Sequence, residues 1–378
     1  MSTNSKSTEA TPAKQEEEVE GLDNPQSEGW GGDYPLDAVF VRSETRTVQE
    51  AVNRIKAGRF QLDPDYQRDF VWPVDKQSRL IESCLMRIPL PVFYVAEAKD
   101  GRIAVVDGLQ RLTTFSRFLA NEFILSLNSS EDRPPHPLNG KKYSDLPLTL
   151  QERVQDTQLT LYILDAKAPE RAKLDIFERV NSGEPLSRQQ MRNCLFNGPA
   201  TRWLKRAADN AEFLAVSGKS LARKSMRDRE VINRFCGFLL LGEEKYTSGD
   251  MDVFLAQTLE KMQNESVDLD QLYAKFVHSM KINRFLFREH AFRKSLARVG
   301  DFAARSVINI SLFDVCSVLF ADLDKEFAKA NAESLRLQFA KLIEDADFNR
   351  AITYSTNSTR QVKTRFEMAR AALAELLP

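Results

Sequence analysis

The chain has few of the residues that build metal and disulfide sites. Among its 378 residues are four cysteines and three histidines, scattered along the sequence. No C-x-x-C pair and no H-E-x-x-H motif occurs. The spacing gives no recognisable zinc site or disulfide framework, and it predicts cysteines that are small buried side chains in a reducing cytoplasm. We therefore expect a cytoplasmic protein without a metal site built from protein ligands alone.

Long apolar runs and several enzyme fingerprints are also missing. No run is long enough to span a bilayer, and the N-terminus lacks the layout of a secretory signal, so we expect no membrane association. The sequence contains no G-x-x-x-x-G-K-[ST] loop, no G-x-G-x-x-G fingerprint and no G-x-S-x-G elbow. These absences argue against P-loop NTPases, Rossmann dehydrogenases and α/β-hydrolases. No nuclease motif is visible either.

Acidic residues are concentrated in residues 1–28, which are also poor in apolar side chains. Seven acids against two lysines give this segment a charge of −5, so the other residues carry +4 of the overall −1. A segment of this composition cannot bury enough apolar surface to fold, and it predicts a disordered acidic tail. The excess of +4 is too small to establish nucleic-acid binding, but it permits local basic patches.

After residue 28, the spacing of the apolar residues first indicates both helices and strands, and later mainly helices. It predicts helices over 47–55, 73–88, 109–120 and 170–180, and strands over 60–62, 92–96, 102–106 and 159–164. Ser187, with Gln190 three positions later, is a capping-box signature. From about residue 199 onward amphipathic helices dominate. The predicted class is α+β, with an α/β domain over 29–198 and a mainly helical domain over 199–378.

The strongest candidate site is the turn in VVDGLQRLTTF, residues 105–115, where a predicted strand meets a predicted helix. Gly108 allows a sharp bend and the close approach of a ligand. Gln110 and Arg111 supply donors, and a guanidinium suits a bidentate grip on phosphate. A cation is poorly placed at the positive end of a helix, whereas an anion is stabilised there. Two interpretations stay open: a bound anion, or a helix-capping Asp107 with an arginine paired to a nearby acid.

Two further polar segments are candidates for the same site. Tyr66-Gln67-Arg68 follows a predicted strand, and two Gln-Arg pairs at the edge of one sheet could converge on one anion. Asn181 and Gly183 follow the helix 170–180, and both residue types tolerate left-handed backbone that turns N–H groups toward a ligand. The alternatives are an exposed loop with a solvated arginine for the first segment and a helix C-cap with a turn for the second.

Three basic clusters in the C-terminal half could contact a nucleic-acid backbone. They comprise Lys219, Arg223, Lys224, Arg227 and Arg229; Arg288, Arg293, Lys294 and Arg298; and Arg360, Lys363 and Arg365. Solvated helix faces are the alternative interpretation for each cluster.

Taken together, these segments resemble a known family. The sequence is similar to the N-terminal domain of GmrSD-type restriction endonucleases, whose fold is similar to the ParB/sulfiredoxin group. The matching segments are PDYQRDFVW at 64–72, SRLIESCLMRIPLPVFYV at 78–95, VVDGLQRLTTF at 105–115 and FERVNSGEPLSRQQMRN at 177–193, with weaker similarity at 227–235 and 352–366. The resemblance implies a ParB/sulfiredoxin-like domain that binds and often hydrolyses a nucleotide, in a system that restricts modified or foreign DNA.

The family's motifs map onto the candidate residues. Its D-G-Q-Q-R motif corresponds to Asp107, Gly108, Gln110 and Arg111, with Leu109 at the position of the first glutamine. Its Y-Q-R element corresponds to Tyr66, Gln67 and Arg68, and its F-x-x-x-N-x-G element to Phe177, Asn181 and Gly183. The resemblance implies that Asp107, Gln110 and Arg111 are catalytic, that Arg68 and Arg111 hold phosphate oxygens, and that the other residues contact the nucleotide.

The resemblance therefore predicts a protein that binds a nucleoside triphosphate, with Mg²⁺ held mainly through the phosphates. We expect an NTP-hydrolysing component of a DNA restriction or anti-phage defence system. Because no nuclease motif is visible, DNA cleavage would need a partner nuclease. The alternative is a non-catalytic DNA-recognition or regulatory module that uses the nucleotide as a switch. The sequence leaves open whether the chain is an enzyme and whether it forms a homo-oligomer.

Overall fold

The computed structural model describes residues 19–20, 41–62, 72–98, 100–127, 136–180, 187–264, 266–298 and 304–377. The strands are β1 (Val41–Thr47), β2 (Phe60–Gln61), β3 (Phe93–Glu97), β4 (Ile103–Asp107) and β5 (Gln158–Leu164). The first helices are α1 (Val48–Lys56), α2 (Val74–Leu85), α3 (Leu109–Leu119), α4 (Leu148–Gln155), α5 (Glu170–Val180), α6 (Arg188–Leu195), α7 (Pro199–Ala208) and α8 (Ala211–Ser217). The later helices are α9 (Arg227–Leu240), α10 (Met251–Gln263), α11 (Leu269–Phe287), α12 (Ile310–Leu319), α13 (Lys325–Ala330), α14 (Ala332–Glu344), α15 (Ala346–Thr353) and α16 (Thr359–Ala374).

The five strands form one mixed sheet in the order β1-β5-β3-β4-β2. β1 is antiparallel to β5, β5 is parallel to β3, and β3 is antiparallel to β4. At the other edge β2 is parallel to β4, with Phe60 opposite Ile103. β2 and β4 therefore run opposite to β3 and β5, and the carboxyl ends of β3 and β5 meet at the end of the sheet opposite to the carboxyl end of β4.

Alternation along the strands divides their side chains between two faces of the sheet. One face contributes Phe93, Val95, Ile103 and Val105 to a large apolar cluster that includes residues of α1, α2 and α3. The other face contributes Ala96, Val106 and Leu164 to a smaller cluster with Leu174, Phe177 and Met191 of α5 and α6. Helices thus cover both faces, and the second face carries smaller side chains.

By the density of its internal contacts, the chain divides into two compact units. One comprises residues 25–204 and 251–267, and so combines the sheet with α10. The other comprises residues 1–24, 205–250 and 268–378, and its described elements are mainly helices. Within the first unit, the buried Arg192 of α6 forms an ion pair with Asp252 of α10. No local pattern in the sequence assigns α10 to this unit. The predicted boundaries, 29–198 and 199–378, stay predictions.

Most of the predicted helices and strands are confirmed. Thr47 Oγ1 accepts a hydrogen bond from the Glu50 N–H at 3.1 Å, and Ser187 forms the predicted capping box with Gln190. The four cysteines are buried and free. The α+β class is confirmed, whereas the ParB/sulfiredoxin likeness stays a prediction. Among the residues that are described, no helix has both the length and the apolar content needed to cross a bilayer.

Strand β1 was not predicted, because polar and charged residues occupy almost all of its positions. It lies at the edge of the sheet, and most of its side chains are exposed or half-buried. An edge strand with few buried side chains has no clear apolar alternation.

Within the acidic segment 1–28, the structure describes Val19 and Glu20. The Glu20 N–H donates to the Ile308 carbonyl at 2.9 Å, and the Ile310 N–H donates to the Glu20 carbonyl at 2.9 Å. The Glu20 carboxylate also pairs with Lys294 at 2.5 Å. The backbone and side chain of Glu20 are thus both bonded to the helical unit.

Three charged side chains are fully buried together in the helical unit. Asp314 of α12 lies between Arg234 of α9 and Arg365 of α16. Arg234 donates to both Asp314 oxygens, at 2.9 and 2.5 Å, and Arg365 donates to Oδ2 at 2.8 Å. Burial lowers the pKa of Arg365 to about 10, against the opposing effect of Asp314. Two buried cations therefore depend on one carboxylate.

Replacing Asp314 with asparagine should leave both guanidinium groups buried without the carboxylate that they share. Breaking a buried ion pair in this way costs about 3–5 kcal/mol. We expect a loss of this size in the free energy of unfolding, measured by urea denaturation. The matched control is Asp322→Asn, since Asp322 is 65% exposed beside Lys275 and such surface pairs contribute less than about 1 kcal/mol. Equal stability of the two variants would contradict the assignment.

Candidate functional site

The predicted turn at Asp107-Gly108 lies at the junction of β4 and α3. Asp107 ends β4, Gly108 has φ 96° and ψ 6°, and α3 begins at Leu109. A Cβ atom added at Gly108 would lie 2.2 Å from Cδ1 of the buried Phe93 ring. Both the left-handed backbone and the neighbouring ring therefore require glycine at this position.

The first turn of α3 has no side-chain cap. Its N-cap residue is Gly108, which has no side chain to accept from the N–H groups of that turn. The Gly108 carbonyl accepts from the Leu112 N–H at 2.9 Å, which is the first hydrogen bond of the helix. The prediction that Asp107 caps this helix is wrong. The N–H groups and the dipole at this end of α3 favour an anion.

The Arg111 guanidinium is bonded to groups of the protein. It donates to the Pro91 carbonyl, to the Val92 carbonyl at 3.1 Å and to Asp107 Oδ2 at 2.7 Å. It also lies over the Phe93 ring, with 4.2 Å from Cζ to the ring centroid. The residue is 8% exposed, and burial lowers its pKa although Asp107 acts in the opposite direction. The cation at the positive end of the helix is thus stabilised by a carboxylate, two carbonyls and a ring face.

Asp107 combines this ion pair with access to solvent. Its side chain is 35% exposed, whereas that of Arg111 is 10% exposed. Arg111 therefore fixes the orientation of a carboxylate that remains accessible from outside. The expected acid-paired arginine is present, and the geometry leaves Asp107 able to bind a further partner.

Gln110 connects the start of α3 to the end of the 64–72 segment. Its Oε1 atom accepts a hydrogen bond from the Trp72 N–H at 3.0 Å. The chain leaves β2 in the same direction as β4, because the two strands are parallel, and it returns to Gln110 at Trp72. Tyr66, Gln67 and Arg68 lie within this segment but outside the described residues. Both ends of the segment are thus fixed beside β4 and α3.

The third predicted element approaches the same junction from the other face of the sheet. Phe177 of α5 packs in one apolar cluster with Val106, the residue that precedes Asp107. Asn181 and Gly183 follow α5 directly and lie outside the described residues. The described parts of all three sequence elements are therefore in contact with β4 or the start of α3.

Sequence reasoning missed the acceptors and the ring that hold Arg111. The Pro91 and Val92 acceptors are backbone carbonyls, which no side-chain pattern identifies. In the sequence Phe93 indicated only a strand, since Phe93 and Val95 are two positions apart and both face the large apolar cluster. The proximity of these groups follows from the β3–β4 pairing, in which Tyr94 is opposite Asp107.

The basic clusters of the C-terminal half include several structural arginines. Arg293 is fully buried and donates to the Ser217 carbonyl at 2.9 Å. Arg365 belongs to the buried Asp314 cluster, and Arg229 is buried next to Met226. These three side chains are inside the helical unit. The interpretation as solvated helix faces is wrong for them, and so is a role in contacting DNA.

Substituting alanine for Gly108 tests the geometry of this turn. Left-handed backbone costs an alanine about 1–2 kcal/mol, and overpacking against Phe93 adds about 1–3 kcal/mol. The matched control is Gly58→Ala, because Gly58 has φ +68° with no atom within 4 Å of an added Cβ. In denaturant unfolding, the free energy of unfolding of Gly108→Ala should be at least about 1 kcal/mol lower than that of Gly58→Ala. Equal losses would mean that Phe93 does not restrict the turn.

A comparison with known proteins identifies the domain that contains this junction. Residues 48–197 match the family model described as GmrSD restriction endonuclease, N-terminal domain. The match includes Asp107, Gly108, Gln110 and Arg111 as well as the sequence segments 64–72 and 177–193. Searches of curated proteins and of solved structures found no match. Residues 48–197 thus form a domain similar to the N-terminal domain of GmrSD restriction endonucleases.

Proposed function

We propose that the chain is a nucleotide-binding and NTP-hydrolysing component of a DNA restriction or anti-phage defence system. One observation carries the proposal. Three segments that are distant in sequence converge on the β4–α3 junction, through the Gln110–Trp72 hydrogen bond and the packing of Phe177 beside Val106. The family model that residues 48–197 match connects this domain with restriction endonucleases.

The junction has features that suit a triphosphate. The uncapped first turn of α3 offers N–H donors to an anion. Asp107 provides one oriented and accessible carboxylate to position water or a magnesium-bound oxygen. Among the described residues, no group of three or more His, Cys, Asp or Glu side chains is placed to hold a metal. In this proposal magnesium is held mainly by the phosphates, and it neutralises their charge.

The roles assigned from the resemblance change for two residues. Arg111 is a positioning residue, since its guanidinium holds Asp107 and the start of β3. Gln110 likewise fixes the backbone of Trp72. The phosphate-binding cation in this proposal is Arg68. Tyr66, Gln67, Asn181 and Gly183 remain proposed nucleotide contacts.

DNA is the proposed substrate of the complete system, and a separate nuclease subunit is the proposed partner. The alternative function is a DNA-recognition or regulatory module that binds nucleotide as a switch without hydrolysis. One observation favours it: the Arg111 guanidinium is bonded to protein acceptors instead of facing a ligand. Stabilisation of a phosphoryl-transfer transition state by this side chain would need those bonds to be exchanged.

Phosphate release by the purified chain distinguishes the two functions. The assay uses each of the four ribonucleoside triphosphates with Mg²⁺, in the presence and absence of double-stranded DNA. We expect turnover that falls at least 100-fold in Asp107→Asn, because the carboxylate that positions water is lost. Binding of a non-hydrolysable analogue, measured by calorimetry, should change less than about fivefold, since the donors at α3 are retained.

The matched control is Glu152→Gln, which neutralises an exposed carboxylate of α4 in the same unit. It should retain full turnover and binding. Analogue binding without turnover in the unmodified chain would support the switch. Absence of both binding and turnover would reject nucleotide as the ligand.

A further inference from the structure

The sheet has a second recess at the end opposite to Asp107. A cavity of about 360 Å³ opens where β3 ends, among residues of β2, β4, α5, α6 and α10. Its lining includes Glu97 at the carboxyl end of β3 and Lys173 of α5. Because β3 is antiparallel to β4, this end of the sheet is separate from the β4–α3 junction. Crevices beyond the carboxyl ends of strands are common ligand sites in α/β proteins.

Small side chains of the sheet keep the cavity open. Ala96 and Ala104 point from β3 and β4 toward the face with the smaller apolar cluster, and both are buried. Ala98 follows β3 and also lines the cavity. Larger side chains at these three positions would fill the space that α5, α6 and α10 leave uncovered.

The charged groups at the cavity are largely paired. Glu97 accepts from Arg42 at 2.8 Å, and Asp100 pairs with Arg102 at 2.5 Å. Lys173 is 4% exposed and donates to the Ala166 carbonyl at 3.3 Å. Glu260 adds one more acid to the lining. With three acids and two bases in its wall, the cavity disfavours a phosphate and suits a neutral ligand.

Amide side chains supply most of the remaining polar groups. Gln61, Asn197, Gln263 and Asn264 line the cavity beside Phe196 and Leu195. The Gln263 Nε2 atom donates to the Phe196 carbonyl at 2.7 Å, which fixes the orientation of that amide. Each amide offers both donors and an acceptor, and a carboxamide can pair with the edge of a base in a bidentate manner.

We propose that this cavity binds a neutral nucleobase, with Phe196 and the alanines against the ring and the amides along its hydrogen-bonding edge. Proteins that take up an isolated base read it through these two kinds of contact. Any attached sugar and phosphate lie toward the open mouth, away from Glu97 and Glu260. The base comes either from a free nucleoside or from a nucleic-acid strand. The site is separate from the proposed NTP site.

Ligand-observed saturation-transfer NMR on the full chain tests the proposal. The probes are the four deoxynucleosides, a five-nucleotide single strand of mixed sequence, and glucose. We expect binding of at least one nucleoside or of the strand, and none of glucose. Binding of the strand alone would assign the base to nucleic acid, and binding of nucleosides alone would assign it to a free ligand.

Two variants locate the bound base. Ala98→Trp fills the cavity from a half-buried position, and Asn197→Leu removes an amide at nearly constant size. Each should weaken binding at least tenfold while the thermal unfolding midpoint stays above the assay temperature. Gln271→Ala, which removes an exposed amide of the other unit, should leave binding unchanged.

Three results would overturn the proposal. They are no binding of any nucleoside or strand, binding that survives both Ala98→Trp and Asn197→Leu, and glucose binding that these two variants weaken. None of these results bears on the proposed NTP site, which is tested by phosphate release.

Discussion

The candidate site depends on one interaction, the clamp that Arg111 forms between β3, β4 and α3. A single buried guanidinium bonds the carbonyls of Pro91 and Val92, which lead into β3, and the carboxylate of Asp107, which ends β4. The clamp places a cation next to the positive end of α3, where it would otherwise be unfavourable. The cation is stable at this position because the Asp107 carboxylate and the face of the Phe93 ring both attract it. As a result Asp107 keeps a fixed orientation while remaining accessible beside the uncapped helix.

The elements around this clamp were predictable where their signals are local. Thr47 and Ser187 begin helices through hydrogen bonds that span three residues, and Gly108 is required by its own backbone. The position of α10 was not predictable, because an ion pair such as Arg192–Asp252 joins residues far apart in the chain. The backbone acceptors of Arg111 could not be predicted for a different reason. Backbone carbonyls are present at every residue, so only the pairing of β3 with β4 identifies which of them accept.

Two basic residues of the C-terminal half have a structural role. Arg234 and Arg365 are buried around Asp314. They connect α9, α12 and α16 inside the helical unit. The mixed sheet, by contrast, presents strand carboxyl ends at both of its ends. The proposed NTP site uses the end of β4, and the proposed base site uses the end of β3.

A double-mutant cycle between Arg111→Met and Asp107→Asn, followed by urea unfolding, tests the clamp most directly. Methionine keeps the apolar stem of the arginine, and asparagine keeps the size of the aspartate. We expect the two losses of stability not to be additive, with a coupling energy of about 1 kcal/mol or more, as for other contacting charged pairs. Additive losses would mean that Arg111 does not hold Asp107, and the orientation of the candidate site would then have no physical basis.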